Sequence, residues 1–175
     1  MLIDLTDILK SEDKVVQTEV PFEPEAFVSE AGRFPIVSKT PVALVIQNKG
    51  NQDLLITGKV TLAIDIPCGR CLKDVRTDFK LSFERELDMK LDASKWIEDL
   101  DEHNYINGYN LDVDRLVDGE LILSWPMKVL CSEACKGICS NCGTDLNRKT
   151  CDCDTADLDP RMAKIRDIFS KFKEV

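Results

Sequence analysis

Apolar and polar residues alternate with period two along three stretches of the chain. Val42, Leu44 and Ile46 hold even positions in 41–47, and Leu54, Ile56, Val60, Leu62, Ile64 and Ile66 hold them in 52–66. Between the two lies Asn48-Lys49-Gly50-Asn51, a hairpin-turn signal. In 75–90 the parity reverses: Val75, Thr77, Phe79, Leu81, Phe83, Leu87 and Met89 are odd, with Arg76, Asp78, Lys80, Ser82, Glu84, Glu86 and Asp88 opposite. Such alternation marks strands with one face on a core and the other in water. A strand of this last length, fully extended, would reach about 50 Å, so a bend or bulge is expected in it. Residues 14–20 form a further, less regular strand candidate.

Beyond Asn104–Asn110 the period changes. Asp112 is placed to cap a helix from about Val113 to Ser124; Gly119 weakens it and Pro126 should end it. A second helix signal is clearer, with Asp159 at the cap and Pro160 at the first position. Its apolar stripe is Met162, Ile165, Phe169 and Phe172. Lys164 and Lys171 flank one edge of that stripe, and Arg166 and Lys173 the other. The pattern as a whole predicts an α+β fold: a curved antiparallel β-meander sheet with helices and a C-terminal cysteine-rich, zinc-binding module. The expected division is a mainly β body over 1–128, with an acidic segment and a helix, and a module over 129–175 that holds the cysteines and the last helix and packs on the body.

Composition narrows the class. The 175 residues are 43% hydrophobic and 31% charged, which suits a globular domain and excludes disorder throughout. No apolar run approaches the roughly 20 residues of a membrane span. The opening MLIDLTDILK puts Asp4 and Asp7 where a secretion signal needs positive charge, so a cytoplasmic location is expected. The formal charge of −9 is concentrated: residues 91–125 carry −7, whereas 161–175 carry +3. Acidity argues against a generally basic nucleic-acid binder but leaves room for a local basic patch.

Eight cysteines in such a chain point to ligands rather than disulfides. They stand as Cys68-Gly-Arg-Cys71, then Cys131, Cys135, Cys139, Cys142, Cys151 and Cys153. A Cys-x2-Cys pair on a tight turn aims two thiolates at one ion, and a second pair completes a tetrahedron. Cys139, Cys142, Cys151 and Cys153 stand close enough in sequence for one such site, with Gly143 supplying a permissive turn after the second ligand. Cys68, Cys71, Cys131 and Cys135 would make a second site across the fold, although spacing alone leaves the pairing open. All-thiolate tetrahedral coordination favours zinc, one or two ions, and a closed site makes the zinc structural. An iron–sulfur cluster is the competing cofactor.

Two thiol chemistries compete with a purely structural role. A dithiol oxidoreductase would use Cys68 and Cys71, but that motif lies between two strand patterns, not at a helix N-terminus where the dipole lowers a thiol pKa. A redox switch would eject zinc on oxidation and expose a surface that binds other proteins. Other catalytic arrangements are poor. His103, the single histidine, lies in an acidic run and reads as surface. The carboxylates at 98–102 and 112–120 lack the spacing of a calcium loop. No glycine-rich phosphate loop occurs. The expectation is a protein that is not an enzyme, with no catalytic residue.

The string Leu130-Cys-Ser-Glu-Ala-Cys-Lys-Gly-Ile-Cys-Ser-Asn-Cys-Gly-Thr-Asp-Leu-Asn147, closing with Cys151-Asp-Cys153, resembles the cysteine-rich tail of the YceD family. These are the large ribosomal RNA subunit accumulation proteins of bacteria and plastids. Ile66-Pro-Cys-Gly-Arg-Cys-Leu72 and Asp159-Pro-Arg161 are similar to the family's pattern too. The resemblance implies a non-enzymatic factor for synthesis, processing or stability of large-subunit ribosomal RNA. Its expected partners are the ribosomal RNA precursor or the pre-ribosomal particle, and ribosomal proteins, without a membrane or a small-molecule substrate. Arg70, Lys73, Lys136, Arg148, Lys149, Lys164 and Lys171 would supply phosphate contacts. The alternative remains the zinc-linked redox switch or chaperone.

Overall fold

A computed structural model describes residues 1–89 and 104–153. The helix expected from Asp159, with Lys164 and Lys171, lies outside the described residues, as do His103 and the acidic residues before it. The described chain is mostly antiparallel β structure with two helices, and it divides into two compact units. The first comprises Met1–Pro67 and Asp74–Val129, the second Cys68–Lys73 and the chain from Leu130 onward.

The first unit runs β1 (Leu2–Asp4), α1 (Thr6–Leu9), β2 (Val15–Val20), β3 (Ala26–Ser29), β4 (Gly32–Lys39), β5 (Val42–Asn48), β6 (Asp53–Pro67), β7 (Asp74–Asp88), β8 (Ile106–Asn107), β9 (Asn110–Asp112) and α2 (Val113–Leu123). Six strands form one sheet in the order β2-β5-β6-β4-β3, with β7 on β6, and β1, β9 and β8 form a small second sheet. The two long alternating stretches become β6 and β7. They pair residue for residue from Asp53 opposite Asp88 to Pro67 opposite Asp74. Of the bend or bulge expected in β7, the bulge is therefore absent. The interruption falls on the other edge of β6, which is shared: β5 pairs with its first half and β4 with its second. The register shift is in β4, between Ile36 and Ser38.

Parity decides which face is buried. The even residues Leu54, Ile56, Val60, Leu62, Ile64 and Ile66 of β6 meet the odd Phe79, Leu81, Phe83 and Leu87 of β7 in the core. Gly58 stands opposite Phe83, and a Cβ there would lie 2.1 Å from the Phe83 ring. The glycine makes space for that aromatic, which covers it. Arg85 breaks the odd apolar series, yet its charge is matched: Nη2 lies 2.6 Å from Glu120 Oε1 of α2. On α2, Val113, Leu116, Val117 and Leu121 are buried, while Ile122 and Leu123 are exposed. Asp112 caps the helix, its carboxylate accepting from Asp114 N at 3.2 Å and Arg115 N at 3.3 Å. Trp125 follows the helix and packs on Phe27, Phe34 and Phe79, with ring centroids 4.8, 4.9 and 5.6 Å away.

The turn between β5 and β6 is anchored by the buried Asn48. Its Nδ2 donates to Ile8 O and Ser11 O, both at 3.0 Å, and its Oδ1 accepts from Gly50 N at 2.9 Å. Gly50, Asn51 and Gln52 all have positive φ, which explains why a glycine and an asparagine stand there. Among the described residues no helix is long and apolar enough to cross a membrane.

Candidate metal centre

The second unit has a different interior. Among its described residues only Cys68, Cys135, Gly137 and Cys139 are buried, so no apolar side chain other than cysteine forms a core. The eight sulfurs fall into two groups of four: Cys68, Cys71, Cys131 and Cys135, then Cys139, Cys142, Cys151 and Cys153. Within each group all sulfurs lie within 4.8 Å of one another.

In the first group Cys68 Sγ lies 3.9 Å from Cys135 Sγ, and Cys71 Sγ 3.5 Å from Cys131 Sγ. A zinc–thiolate tetrahedron has sulfur–sulfur edges of about 3.8 Å, whereas a disulfide needs about 2.05 Å. The spacing thus fits a shared ion, and all eight cysteines are free. Cys68 and Cys71 come from the connection between β6 and β7. There, Leu72 N bonds back to Cys68 O at 3.0 Å and Leu72 takes a φ of 60°. Cys131 N donates to Cys68 Sγ at 3.4 Å. Arg70 Nη1 reaches Cys135 O at 2.7 Å and Glu133 O at 3.2 Å, so its guanidinium ties the two ligand-bearing segments together. Gly137 allows the close approach: a Cβ there would sit 3.0 Å from Arg70 O.

The second group is built on a tight loop. Gly143 N donates to Cys139 O, and Cys139 N to Thr144 O, both at 2.9 Å. Gly143 has a φ of 72°, in keeping with the permissive turn expected of a glycine after Cys142. Thr144 Oγ1 lies 3.1 Å from Cys142 Sγ. Cys142 is exposed, and Cys151 and Cys153 are half-buried, so this group is the more accessible one.

Protonation follows the same geometry. Cys68 is drawn down to about 6, first by the Cys131 N–H and then by other backbone amides aimed at its sulfur. Cys131 is pushed up to about 12 by the neighbouring thiols Cys71 and Cys135. The second group repeats the split: Cys142 is drawn down to about 6 by the Thr144 hydroxyl and amide, while Cys153 is pushed up to about 12 by Cys142 and by burial. Four thiolates this close repel, so some ionise early and others hold their protons. A divalent cation removes that conflict by ionising all four.

The basic residues singled out in the sequence fare unevenly. Arg70 donates to the carbonyls just described, and Arg148 Nε lies 3.5 Å from Asp145 Oδ2. Lys73, Lys136 and Lys149 are exposed on the same unit. The clamp by Arg70 and the reach of Asn147, whose Oδ1 accepts from Lys136 N at 2.7 Å, are functions the linear pattern does not announce.

A β-sheet unit joined to a unit with two four-thiol clusters defines a protein whose second part could hold metal ions. Residues 56–169 match the family described as large ribosomal RNA subunit accumulation protein YceD, and the chain belongs to that family. Among curated proteins it is similar to the uncharacterized protein ML1660 of Mycobacterium leprae (strain TN), with 24% identity over 96 residues. The aligned part is 55% of this chain and 44% of that protein, so the match spans less than half of the relative's length. No solved structure matches the chain.

Proposed function

We propose that the protein is a zinc-organised, non-enzymatic factor that promotes accumulation of large-subunit ribosomal RNA by binding precursor RNA or a pre-ribosomal particle. The family match supplies the pathway, and the carrying observation for the metal is a unit with two groups of four cysteine sulfurs and no other described core. Zinc is favoured over other ions because four thiolates at tetrahedral spacing suit it and leave no open position for water. All eight cysteines, Cys68, Cys71, Cys131, Cys135, Cys139, Cys142, Cys151 and Cys153, serve as ligands in this reading, with two ions per chain.

RNA contact is assigned to the exposed Lys73, Lys136, Arg148 and Lys149, with Arg70 contributing only the part of its guanidinium that faces away from Cys135 O. Each loaded site carries about −2, because four thiolates outweigh one divalent ion. The described part of the unit has five cationic side chains and three carboxylates, so loading both sites leaves it mildly anionic. Binding then rests on individual lysines that reach phosphate, not on a broad positive field, and few counterions are released.

The test is ultraviolet crosslinking in growing cells, followed by sequencing of the attached RNA. Reads concentrated on large-subunit precursor, reduced when Lys73, Lys136 and Lys149 are changed together to Glu, are expected. Crosslinks that survive those changes would remove the unit from the RNA interface. An absence of crosslinked RNA with the protein recovered on pre-ribosomal particles would make it a protein-binding adaptor instead.

A further inference from the structure

We propose that Asn147 couples the two metal sites, so that an ion in the Cys68, Cys71, Cys131 and Cys135 group strengthens binding of the second ion. This inference rests on the zinc reading above. Asn147 lies in the loop between Cys142 and Cys151, both of the second group, but its side chain is directed at the first. Nδ2 is 3.5 Å from Cys135 Sγ, and Oδ1 accepts from Lys136 N at 2.7 Å. The same Nδ2 lies 2.8 Å from Asp145 Oδ1, which also accepts from Asn147 N at 2.9 Å. The carboxamide is therefore held in the orientation that presents an N–H to the sulfur.

Backbone contacts reinforce the link. Cys135 and Cys139 belong to different groups yet stand four residues apart, so the segment between them serves both. Ile138 N donates to Arg70 O at 3.1 Å, in the loop that carries Cys68 and Cys71. Leu146 N donates to Gly137 O at 2.9 Å, and Ile138 and Asp145 form an antiparallel bridge. Fixing Cys135 as a metal-bound thiolate gives Asn147 Nδ2 a charged acceptor at a set position. That interaction draws the 144–147 loop onto the 135–139 segment and places Cys142 and Cys151 for the second ion. Partners of metal-bound ligands commonly alter metal affinity by about 10–100-fold. Because binding free energies are reciprocal, the second ion must strengthen the first by the same factor. Asn147 is a positioning residue here and not a ligand.

The experiment titrates zinc into the full-length, reduced protein against a chelator, with native mass spectrometry counting metal-free, one-metal and two-metal chains. In the wild type the second group should bind about tenfold more tightly than in a Cys68→Ser/Cys71→Ser variant, which lacks a competent first site. Asn147→Ala keeps all eight thiols and should raise the one-metal fraction at half loading. Asn147→Asp keeps an acceptor for Lys136 N but loses the donor to sulfur, and should behave like Asn147→Ala. Equal one-metal fractions in wild type and both Asn147 variants would overturn the coupling while leaving two zinc sites in place. A wild-type protein that binds no zinc would overturn the metal reading itself and the coupling with it.

Discussion

The two units of this chain solve the same problem by opposite means. The first buries more than twenty apolar side chains between a six-stranded sheet, a small sheet and two helices. The second, in its described residues, buries cysteine sulfur and a glycine. A domain-sized core draws its stability from burial, at about 25 cal/mol per Å² of apolar surface. A segment too short for such a core needs a cross-link or an ion. If metal holds the second unit as proposed, losing it and losing apolar contacts should damage different parts of the molecule.

The largest effect follows from removing metal. Stripping zinc should cost the second unit on the order of 10 kcal/mol, enough to unfold it. Amide exchange in 130–153 and 68–73 should become fast on chelation, while the amides of β5, β6 and β7 stay protected. Uniform loss of protection across both units would erase the comparison.

The converse test strikes the apolar unit. Asn48→Leu leaves Ile8 O and Ser11 O unbonded and removes the acceptor for Gly50 N. A loss of about 2–3 kcal/mol in urea unfolding of the first unit is expected, with the zinc content unchanged. A variant that unfolds normally but releases zinc would place Asn48's importance elsewhere. A smaller change comes from Gly58→Ala, whose new methyl collides with the Phe83 ring. It should cost about 1–3 kcal/mol, and a second change, Phe83→Leu, should recover part of that loss because the two sites share one space.

The smallest effect has the opposite sign. Asp118, on α2, has its carboxyl pushed up to about 6 by burial first, then by Asp114 and Asp112. Because the folded pKa exceeds the unfolded value of 3.8, folding favours the protonated acid, and this stabilisation is lost as pH rises through 6. Asp118→Asn should therefore stabilise the first unit at pH 7.5, by about 1 kcal/mol once partial exposure is allowed for. The gain should shrink below pH 6 and vanish near pH 4. Thermal unfolding across that range checks it; a gain that grows on acidification contradicts the assigned cause.

The contrast between the units also explains what the sequence revealed. Period-two patterning over 42–66 and 75–88 is strong because one sheet face is wet, so β5, β6 and β7 were legible to within a residue or two at their ends. Asp112 announced α2 through its cap. By contrast β4 contains Pro35 and a register shift, both of which obscure alternation. β1 is three residues long and finds its partner, β9, over a hundred positions away, which no local pattern encodes. In the second unit Cys-x2-Cys spacing pointed to the gathering of the sulfurs into two groups of four, because two cysteines on one turn leave little freedom. The roles of Arg70 and Asn147 were hidden, since a hydrogen bond to a distant carbonyl or sulfur imposes no periodicity on the chain.

Whether metal holds the second unit is decided by the metal content of the untagged, reduced protein together with its free-thiol count. Two zinc ions per chain are expected, with eight thiols that react only after chelation and release of zinc in step with loss of amide protection over 130–153. A metal-free protein whose 130–153 amides remain protected would contradict that expectation.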